Sequence, residues 1–464
     1  MQVFLNKKFH FVGIGGCGMS AIAVFLKNYG AIVTGSDKCE SNFSRQLTDI
    51  GIPVFIGHKE SNVPECDYIV KSSAIKNNNC EILKSQSMGI KTFIRGEMLG
   101  EILSDKKVIA VAGSHGKTST VAMLSWFLHV GGFDANTVVG GMMNNFNSNF
   151  LLKNSEWFVT EADESDNTMN CLNPQLLVLL NIDDDHIDHY GSQEKMIAEY
   201  IKLARKTGKH IVLNAADKTL SPIATSVPGK VIYYGNESGF HVPENSIEYQ
   251  NHGTFFKVKY KNEFEEDFYI PIPGKVFLNN FLASITVAFH LGVPISKIKE
   301  AATTFSGVKR RTEDWGTVNG IKIIEDYAHH PTEISVMLDS ISKWHKGRTI
   351  CIFQPHRYTR SKHIANLLAE SFAKCDTLIL TDIYSADEPP IEGITGKFVA
   401  DEITKKRISG FLYIKELSGI IPYLMENTNN NDVVIFMGAG NVGALAREFR
   451  DTLLKQQVSS ELTG

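Results

Sequence analysis

Cysteine is sparse and unpaired: the seven at positions 17, 39, 66, 80, 171, 351 and 375 form no C-x-x-C pair and no Cys/His spacing of a zinc site. A disulfide scaffold is excluded, and reduced thiols in a cytoplasmic protein are expected. Long apolar runs are missing as well. Stretches such as LLVLLNI, from Leu176, stop far short of the roughly 20 residues that cross a bilayer, and the N-terminus has no signal-peptide pattern. No membrane partner is expected. Nor does charge of one sign dominate, since 47 Lys and Arg face 51 Asp and Glu for a net charge of -4. That balance excludes a basic nucleic-acid binder, and 43% hydrophobic with 21% charged residues excludes a disordered chain. Internal repeats are absent, and low complexity is limited to NTNNND at Asn427, which reads as a surface loop.

What the chain does have is length for two or three domains, and glycine turns placed directly after apolar runs. FHFV leads into GIGGCGMSAIAVFLKNYG, where Ile22, Phe25, Leu26 and Tyr29 recur at helical spacing and AIVTGSD follows as the next strand. Gly13, Gly15 and Gly18 match G-x-G-x-x-G, and Asp37 stands about 20 residues on, where an acid accepts a ribose hydroxyl. A nucleotide is expected there. A second strand, turn and helix run through VIAVAG, SHGK and TSTVAMLSWFLHVGG. WFVTEADESD, LLVLLNIDDDHIDHY and HIVLNAADK then end in polar groups that a parallel sheet gathers at one edge. Alternating stretches between residues 230 and 273 predict hairpins packed on this domain. A third α/β segment starts near Trp315 and ends in the turn of Gly438, Gly440 and Gly443. No acid follows that turn at the distance expected of a ribose-binding residue, so it is read as close helix packing.

Backbone N–H groups in a glycine turn between strand and helix point at an anion, and the helix dipole adds to the attraction. In AGSHGKTST, Lys117 supplies a mobile positive charge and Thr118 a hydroxyl for a magnesium ion. Glu161, Asp163, Glu164 and Asp166 of EADESD, with His186, stand at neighbouring strand ends. Singly, each acid is a helix cap or a solvated side chain. As a set beside G-K-T, they read as ligands of a hard cation that bridges to phosphates.

Together HFVGIGGCGMSAIA, AGSHGKTST, EADESD, NIDDDHIDHY, GVKRRTE, EDYAHHPTE, FQPHRYTR and LTDIYSADEPPIEG resemble, in this order, the motifs of the Mur ligases. They span about residues 9 to 443, and the alanine-adding branch is the most similar. The resemblance implies an α/β protein of three domains: a Rossmann-like domain for a UDP-sugar (1–105), a central P-loop ATPase domain (106–313) and a C-terminal Rossmann-like domain for the amino acid (314–464). It also implies ATP-dependent ligation of L-alanine to the lactyl carboxylate of UDP-N-acetylmuramate, through an acyl phosphate, in peptidoglycan precursor synthesis. ATP and magnesium, or manganese in its place, are the implied cofactors, and a monomer and a homodimer both remain open.

Carried over by motif, Gly15, Gly16, Gly18, Asp37, Ser72, Ser73 and Ala74 hold UDP. Gly113, Ser114, His115, Gly116, Lys117, Thr118 and Ser119 hold the ATP phosphates, and Asn280, Arg311 and Asp326 reach the nucleotide. Thr118, Glu161 and His186 bind the metal, and Tyr327, His329, Arg357 and Arg360 receive the amino acid. The implied catalytic residues are Lys117, Glu161, His186 and His329. Three departures stand out: Val276-Phe277 replaces a usual His-Asn pair, Thr312 a common aromatic, and DESDNTMN the small-aromatic continuation after the acids. The alternatives are a tripeptide-adding or folylpolyglutamate-type ligase, an NAD-dependent oxidoreductase that explains only the first segment, and a non-catalytic Mur-like regulator.

Overall fold

Apolar runs flanked by glycine become the central strands of three sheets. The computed structural model describes residues 2–164, 166–183, 192–261, 263–406 and 409–463. Contacts divide the chain into two compact units. The first runs to Asn245 and takes in Lys257–Phe268 and Leu278–Phe305; the second comprises Ser246–Phe256, Tyr269–Phe277 and Ser306–Gly464.

In the first unit, KFHFV forms β1 (Lys8–Val12), the glycine turn follows, and α1 (Cys17–Asn28) leads to β2 (Ile32–Asp37). With β3 (Val54–Ile56), β4 (Tyr68–Lys71) and β5 (Lys91–Ile94), they make a five-stranded sheet in the order β3-β2-β1-β4-β5, and the four pairings are all parallel. The chain reverses direction across the sheet at β1, so the crevice beyond its carboxyl end is the ligand position of such a sheet. Helices α2 (Asn42–Asp49), α3 (Cys80–Ser87) and α4 (Arg95–Leu103) complete this layer.

The second sheet is built on β6 (Lys107–Ala112), whose last five residues are buried, followed by α5 (Lys117–Val130). The strands β7 (Asn136–Met143), β8 (Ser148–Leu151), β9 (Trp157–Glu161), β10 (Leu176–Leu179), β11 (His210–Asn214), β12 (Val231–Tyr234) and β13 (Phe240–His241) join it in the order β13-β12-β11-β10-β6-β9-β7-β8. Only β7 with β8 is antiparallel within that run. The carboxyl ends of β6, β9 and β10 therefore open on the same edge, as the polar strand ends predict.

The expected hairpins are present as β14 (Glu248–Gln250), β15 (Gly253–Tyr260) and β16 (Phe264–Ile270). All three are strands of the sheet built on β6, which makes it eleven-stranded: β14 and β16 pair with β15, and β15 pairs with β13. Tyr260 and Lys259 of β15 pair with β13, whereas residues 246–256 and 269–277 group with the second unit. Local bonds account for this: the Thr254 hydroxyl donates to the Ile272 carbonyl, the Gly274 amide donates to that hydroxyl, and Lys275 pairs with Asp339. Gly274, at φ +89°, lies so close to Ser340 that a Cβ there would meet its Oγ at 1.8 Å.

The second unit's own sheet contains β17 (Glu313–Val318), β18 (Ile321–Asp326), β19 (Thr349–Phe353), β20 (Thr377–Leu380), β21 (Phe411–Tyr413) and β22 (Val433–Met437), in the order β17-β18-β22-β19-β20-β21. It is parallel except for β17. Among the described residues, no helix is long and apolar enough to cross a membrane.

Candidate active site

The turn after β6 is held from below by the strand beside it. Because β10 pairs with β6, Asn181 just past its end reaches the turn: its side-chain oxygen accepts the His115 amide at 2.8 Å, and its Nδ2 donates to the His115 carbonyl at 3.0 Å. The Asp183 amide donates to Ser114 Oγ, and His115 Nε2 lies 2.9 Å from the Asp183 carboxylate. Gly113 (φ +135°) and Gly116 (φ +86°) take backbone conformations that side chains oppose. A Cβ on Gly116 would stand 2.6 Å from Asn280 Oδ1, so the expected Asn280 does abut the loop. The helix starts at Lys117 rather than after it, which places the amides of Lys117, Thr118 and Ser119 among first-turn donors that lack intrahelical partners.

Lys117 Nζ donates to the Gly113 carbonyl at 2.7 Å and to both oxygens of Glu164, at 2.8 and 3.0 Å. Burial works against the lysine charge, but Glu164, Asp163 and Glu161 outweigh it, and the Lys117 pKa is raised. Burial likewise pushes the Glu164 carboxyl up, against the pull of Lys117. Glu161 ends β9, where one of its oxygens accepts the Gly140 amide at 2.6 Å. Thr118 is buried in the first turn of α5. His186 lies outside the described residues.

The UDP-side residues come together at the ends of β1, β2 and β4. Asp37 accepts the Gly15 amide at 2.8 Å, so it braces the glycine turn. Ser41 Oγ donates to the Gly15 carbonyl, and a Cβ on Gly13 would meet Ser72 Cβ at 2.9 Å, which sets Ser72 against the turn, with Ser73 and Ala74 following it in the chain. A helix N-terminus favours thiolate at Cys17, but the structure reverses that expectation. Burial pushes the Cys17 thiol up to about 12, with Asn149 opposing and Glu161 adding to the rise.

Between this turn and Glu161 lies a cavity of about 180 Å³ lined by Cys17, Gly18, Arg95, Gly140, Glu161 and Asp163, with Val138, Val139 and Thr160 behind them. Sequence reasoning missed Arg95 and Asn181, whereas Asp183 is the first acid of DDDHIDHY at an expected strand end. Only the order of strands, which sets β10 beside β6, brings Asn181 to the loop.

In the second unit, the buried Asp326 accepts the Thr312 amide at 2.7 Å and the Ala328 amide at 2.8 Å. Thr312 is therefore the partner of Asp326, with its own φ at +49°. Arg310 and Arg311 stack on Tyr327, at 5.0 and 4.7 Å from the ring centre. Arg310 also donates to Glu325 and to the carbonyls of Gly438 and Gly440, which ties the last glycine turn down as packing. His329 Nδ1 lies 3.0 Å from the Tyr327 carbonyl, which makes it the donor, and its ring lies 5.9 Å from that of His356. Arg357 has φ +69° and Arg360 sits one turn into the helix Tyr358–Ser371. His356 is a further member, passed over between Pro355 and Arg357. It stacks on Tyr384, and burial with His329, Arg360 and Arg357 nearby lowers its pKa to about 3, so the ring is neutral at pH 7. Phe277 of the Val276-Phe277 departure is core, packed 6.1 Å from Phe256.

Models of the Mur ligase family match the chain throughout: the catalytic domain model at residues 8–107, the middle domain at 111–288 and the glutamate ligase domain at 310–440. The UDP-N-acetylmuramate--L-alanine ligase of Desulforamulus reducens is 39% identical over 448 residues, covering 96% of this chain and 97% of that protein. Its namesake in Syntrophus aciditrophicus is 37% identical over 94% of this chain and 91% of its own length. Among solved structures, the UDP-N-acetylmuramate-alanine ligase of Thermotoga maritima superposes with a TM-score of 0.83 at 25% identity, over 97% of this chain and 100% of that one. A murein peptide ligase from Psychrobacter arcticus gives 0.71 at 26% identity, over 97% and 99%. The chain belongs to the Mur ligase family, with the three-domain α/β architecture of that family.

Proposed function

We propose that this protein is an ATP-dependent ligase that joins L-alanine to the lactyl carboxylate of UDP-N-acetylmuramate in peptidoglycan precursor synthesis, in the cytoplasm. The observation that carries this reading is the cavity lined both by Cys17 and Gly18 of the α1 glycine turn and by Glu161, with Lys117 and its phosphate-type loop adjoining that acid. Near-full-length identity to ligases of that name supports it. Residues 1–105 take the UDP-sugar, 106–313 take ATP, and 314–464 take the amino acid.

A carboxylate oxygen of the sugar acid attacks the γ-phosphorus of ATP, the bond to ADP breaks, and ADP leaves with the electron pair. The alanine amine then attacks the acyl carbon, loses a proton, and phosphate departs. Both partners of the first step are anions, so alignment and positive charge matter more than covalent help. The amides of residues 113–119 cradle the phosphates, and Lys117 follows the γ-phosphoryl group. Thr118, Glu161 and His186 are the metal ligands; the first two offer oxygen donors, and the four acids of EADESD outnumber the two cations Lys117 and Arg95 beside them, which suits a hard divalent ion. Magnesium or manganese held by these residues would supply positive charge against the phosphates. Asn280, Arg311 and Asp326 serve the nucleotide, and Gly15, Gly16, Gly18, Asp37 and Ser72–Ala74 serve UDP. Tyr327, His329, Arg357 and Arg360 receive alanine, whose carboxylate a guanidinium fork matches.

The test is phosphate release with ATP, magnesium and UDP-N-acetylmuramate, with L-alanine, L-serine, glycine or a tripeptide as acceptor. Release that needs the UDP-sugar and is greatest with L-alanine is expected. A tripeptide preferred over alanine would move the protein to the murein peptide ligases, and no release with any acceptor would leave a non-catalytic relative.

A further inference from the structure

Arg95 opens α4 directly after β5, in a stretch, RGEMLGEI, that belongs to none of the phosphate or metal motifs. A cation at a helix N-terminus is opposed by the helix dipole, so its place there needs anions around it. Asp166 supplies the first. One oxygen of Asp166 accepts from Arg95 Nε at 2.6 Å and from Nη2, while the other accepts the Thr168 amide at 3.2 Å and the Thr168 hydroxyl. The guanidinium is thus fixed along one edge by a carboxylate that is itself fixed.

A guanidinium carries five N–H donors, and this arrangement occupies only Nε and Nη2. Nη1 is turned toward the glycine turn of α1. It lies 2.6 Å from where a Cβ on Gly18 would stand, and no hydrogen-bond partner for it exists among the described residues. Gly18 therefore leaves the space that Arg95 fills, and the arginine forms a wall of the cavity that ends at Glu161. At about 180 Å³ that cavity has room for a short acid arm or a phosphoryl group.

Its charges are uneven. Glu161 and Asp163 line the cavity and Asp166 adjoins it, so an anionic group entering there meets repulsion unless a cation answers it. Lys117 is engaged by Glu164 and the loop carbonyls. Among the described residues Arg95 is the cation in the cavity lining, and although burial opposes its charge, Asp166, Asp163 and Glu161 keep it charged.

We propose that Arg95, through Nη1, binds the carboxylate of the sugar-nucleotide substrate in this cavity. It thereby holds the acid arm beside Glu161 and selects for a sugar that carries one. The assignment rests on the ligase reading above and adds the residue that recognises the reacting group. The diphosphate of the same substrate is the other anion within reach of the α1 turn, and the test separates the two.

Calorimetric titration of the full chain with UDP-N-acetylmuramate and with UDP-N-acetylglucosamine, which has the same diphosphate and no lactyl acid, is compared for the native protein, Arg95→Met and Arg95→Lys. Arg95→Met is expected to weaken UDP-N-acetylmuramate about 10- to 100-fold, the loss of a charged hydrogen bond. UDP-N-acetylglucosamine should stay within about twofold, because the assignment gives it no contact with Arg95. Arg95→Lys, which keeps a charge beside Asp166 and tests the idea should the methionine variant fail to fold, should show the same discrimination to a smaller degree. Equal weakening of both ligands, which a diphosphate contact or a purely structural arginine would give, overturns the assignment, as does no change for either. A native protein that binds neither ligand and releases no phosphate overturns the ligase reading, and the assignment with it; native ligation with undiscriminating variants overturns the assignment alone.

Discussion

Lys117 and Glu164 form an ion pair with the glutamate side chain fully buried and the lysine nearly so. Removing one member of such a pair strands the other in a medium that cannot solvate it, at a cost of about 3–5 kcal/mol. Lys117→Met should therefore fail twice: phosphate release should fall about 10²–10³-fold or more, and the urea midpoint should drop. Adding Glu164→Leu should recover most of the stability and none of the activity, a split that ordinary misfolding does not produce. A second buried acid is readable through pH. Glu81, on α3, accepts from His10, Ser36, Asn62 and the Lys59 amide. Burial raises its pKa, but those hydrogen bonds overturn the rise and lower it from 4.5 to about 2. A depressed folded pKa gives stability that is present above pH 4.5 and lost as pH falls toward 2, here about 3 kcal/mol in all. Urea unfolding at pH 7 and pH 3 should show a steep acid loss that Glu81→Gln flattens; equal slopes would remove the carboxylate from the account.

At the scale of an element, two turns use backbone conformations that side chains resist where the chemistry is proposed. Gly116 combines φ +86° with Asn280 Oδ1 at 2.6 Å from any added Cβ. Gly116→Ala should raise the KM for ATP about tenfold or more and cost about 1–2 kcal/mol of stability, while UDP-sugar affinity stays unchanged. A fall in UDP-sugar affinity instead would detach the loop from ATP. Arg357, at φ +69° and ψ 140°, sits in a backbone region that glycine enters easily, held by its amide to the Tyr384 carbonyl. Such strain costs about 1–3 kcal/mol and persists where function uses it. Arg357→Gly should leave stability unchanged or raise it, yet raise the KM for the amino acid, whereas Arg357→Ala should raise that KM with no gain in stability. Steady-state kinetics with thermal unfolding of both variants checks this.

The turns after β1 and β6 were legible in the sequence because the signal is local: an apolar run, then glycines at positions that need positive φ or close approach. Arg95 and Asn181 were not, because what places them is which strand lies beside which, and no spacing within one segment encodes that. Cys17 shows the converse, where a correct local rule about helix N-termini is overridden by burial.

At the scale of the molecule, the first two sheets share one core. Phe25 of α1 packs 4.8 Å from Phe158 of β9 and 6.4 Å from Phe150 of β8, and Asn149 of β8 donates to the Cys17 carbonyl and to Ser20. The apolar helical stripe predicted from Ile22, Phe25 and Leu26 thus serves two sheets, and contacts unite them in a single unit although three domains are expected from the family. If α1 is common to both, the sheets should open together. Amide exchange is expected to give peptides of β1 and β4 the same opening free energy as peptides of β6 and β9. Phe25→Ala, which leaves a cavity at the shared face, should lower both by about 3–5 kcal/mol. Separate opening energies, with only the first sheet responding, would mean that residues 1–105 behave as an independent folding unit. The cavity containing Arg95 and Glu161 would then lie between parts free to move apart, and UDP-sugar affinity would depend on holding them together. Under cooperative opening, the same cavity is preformed, and Phe25→Ala should weaken UDP-sugar binding only as far as it unfolds the protein.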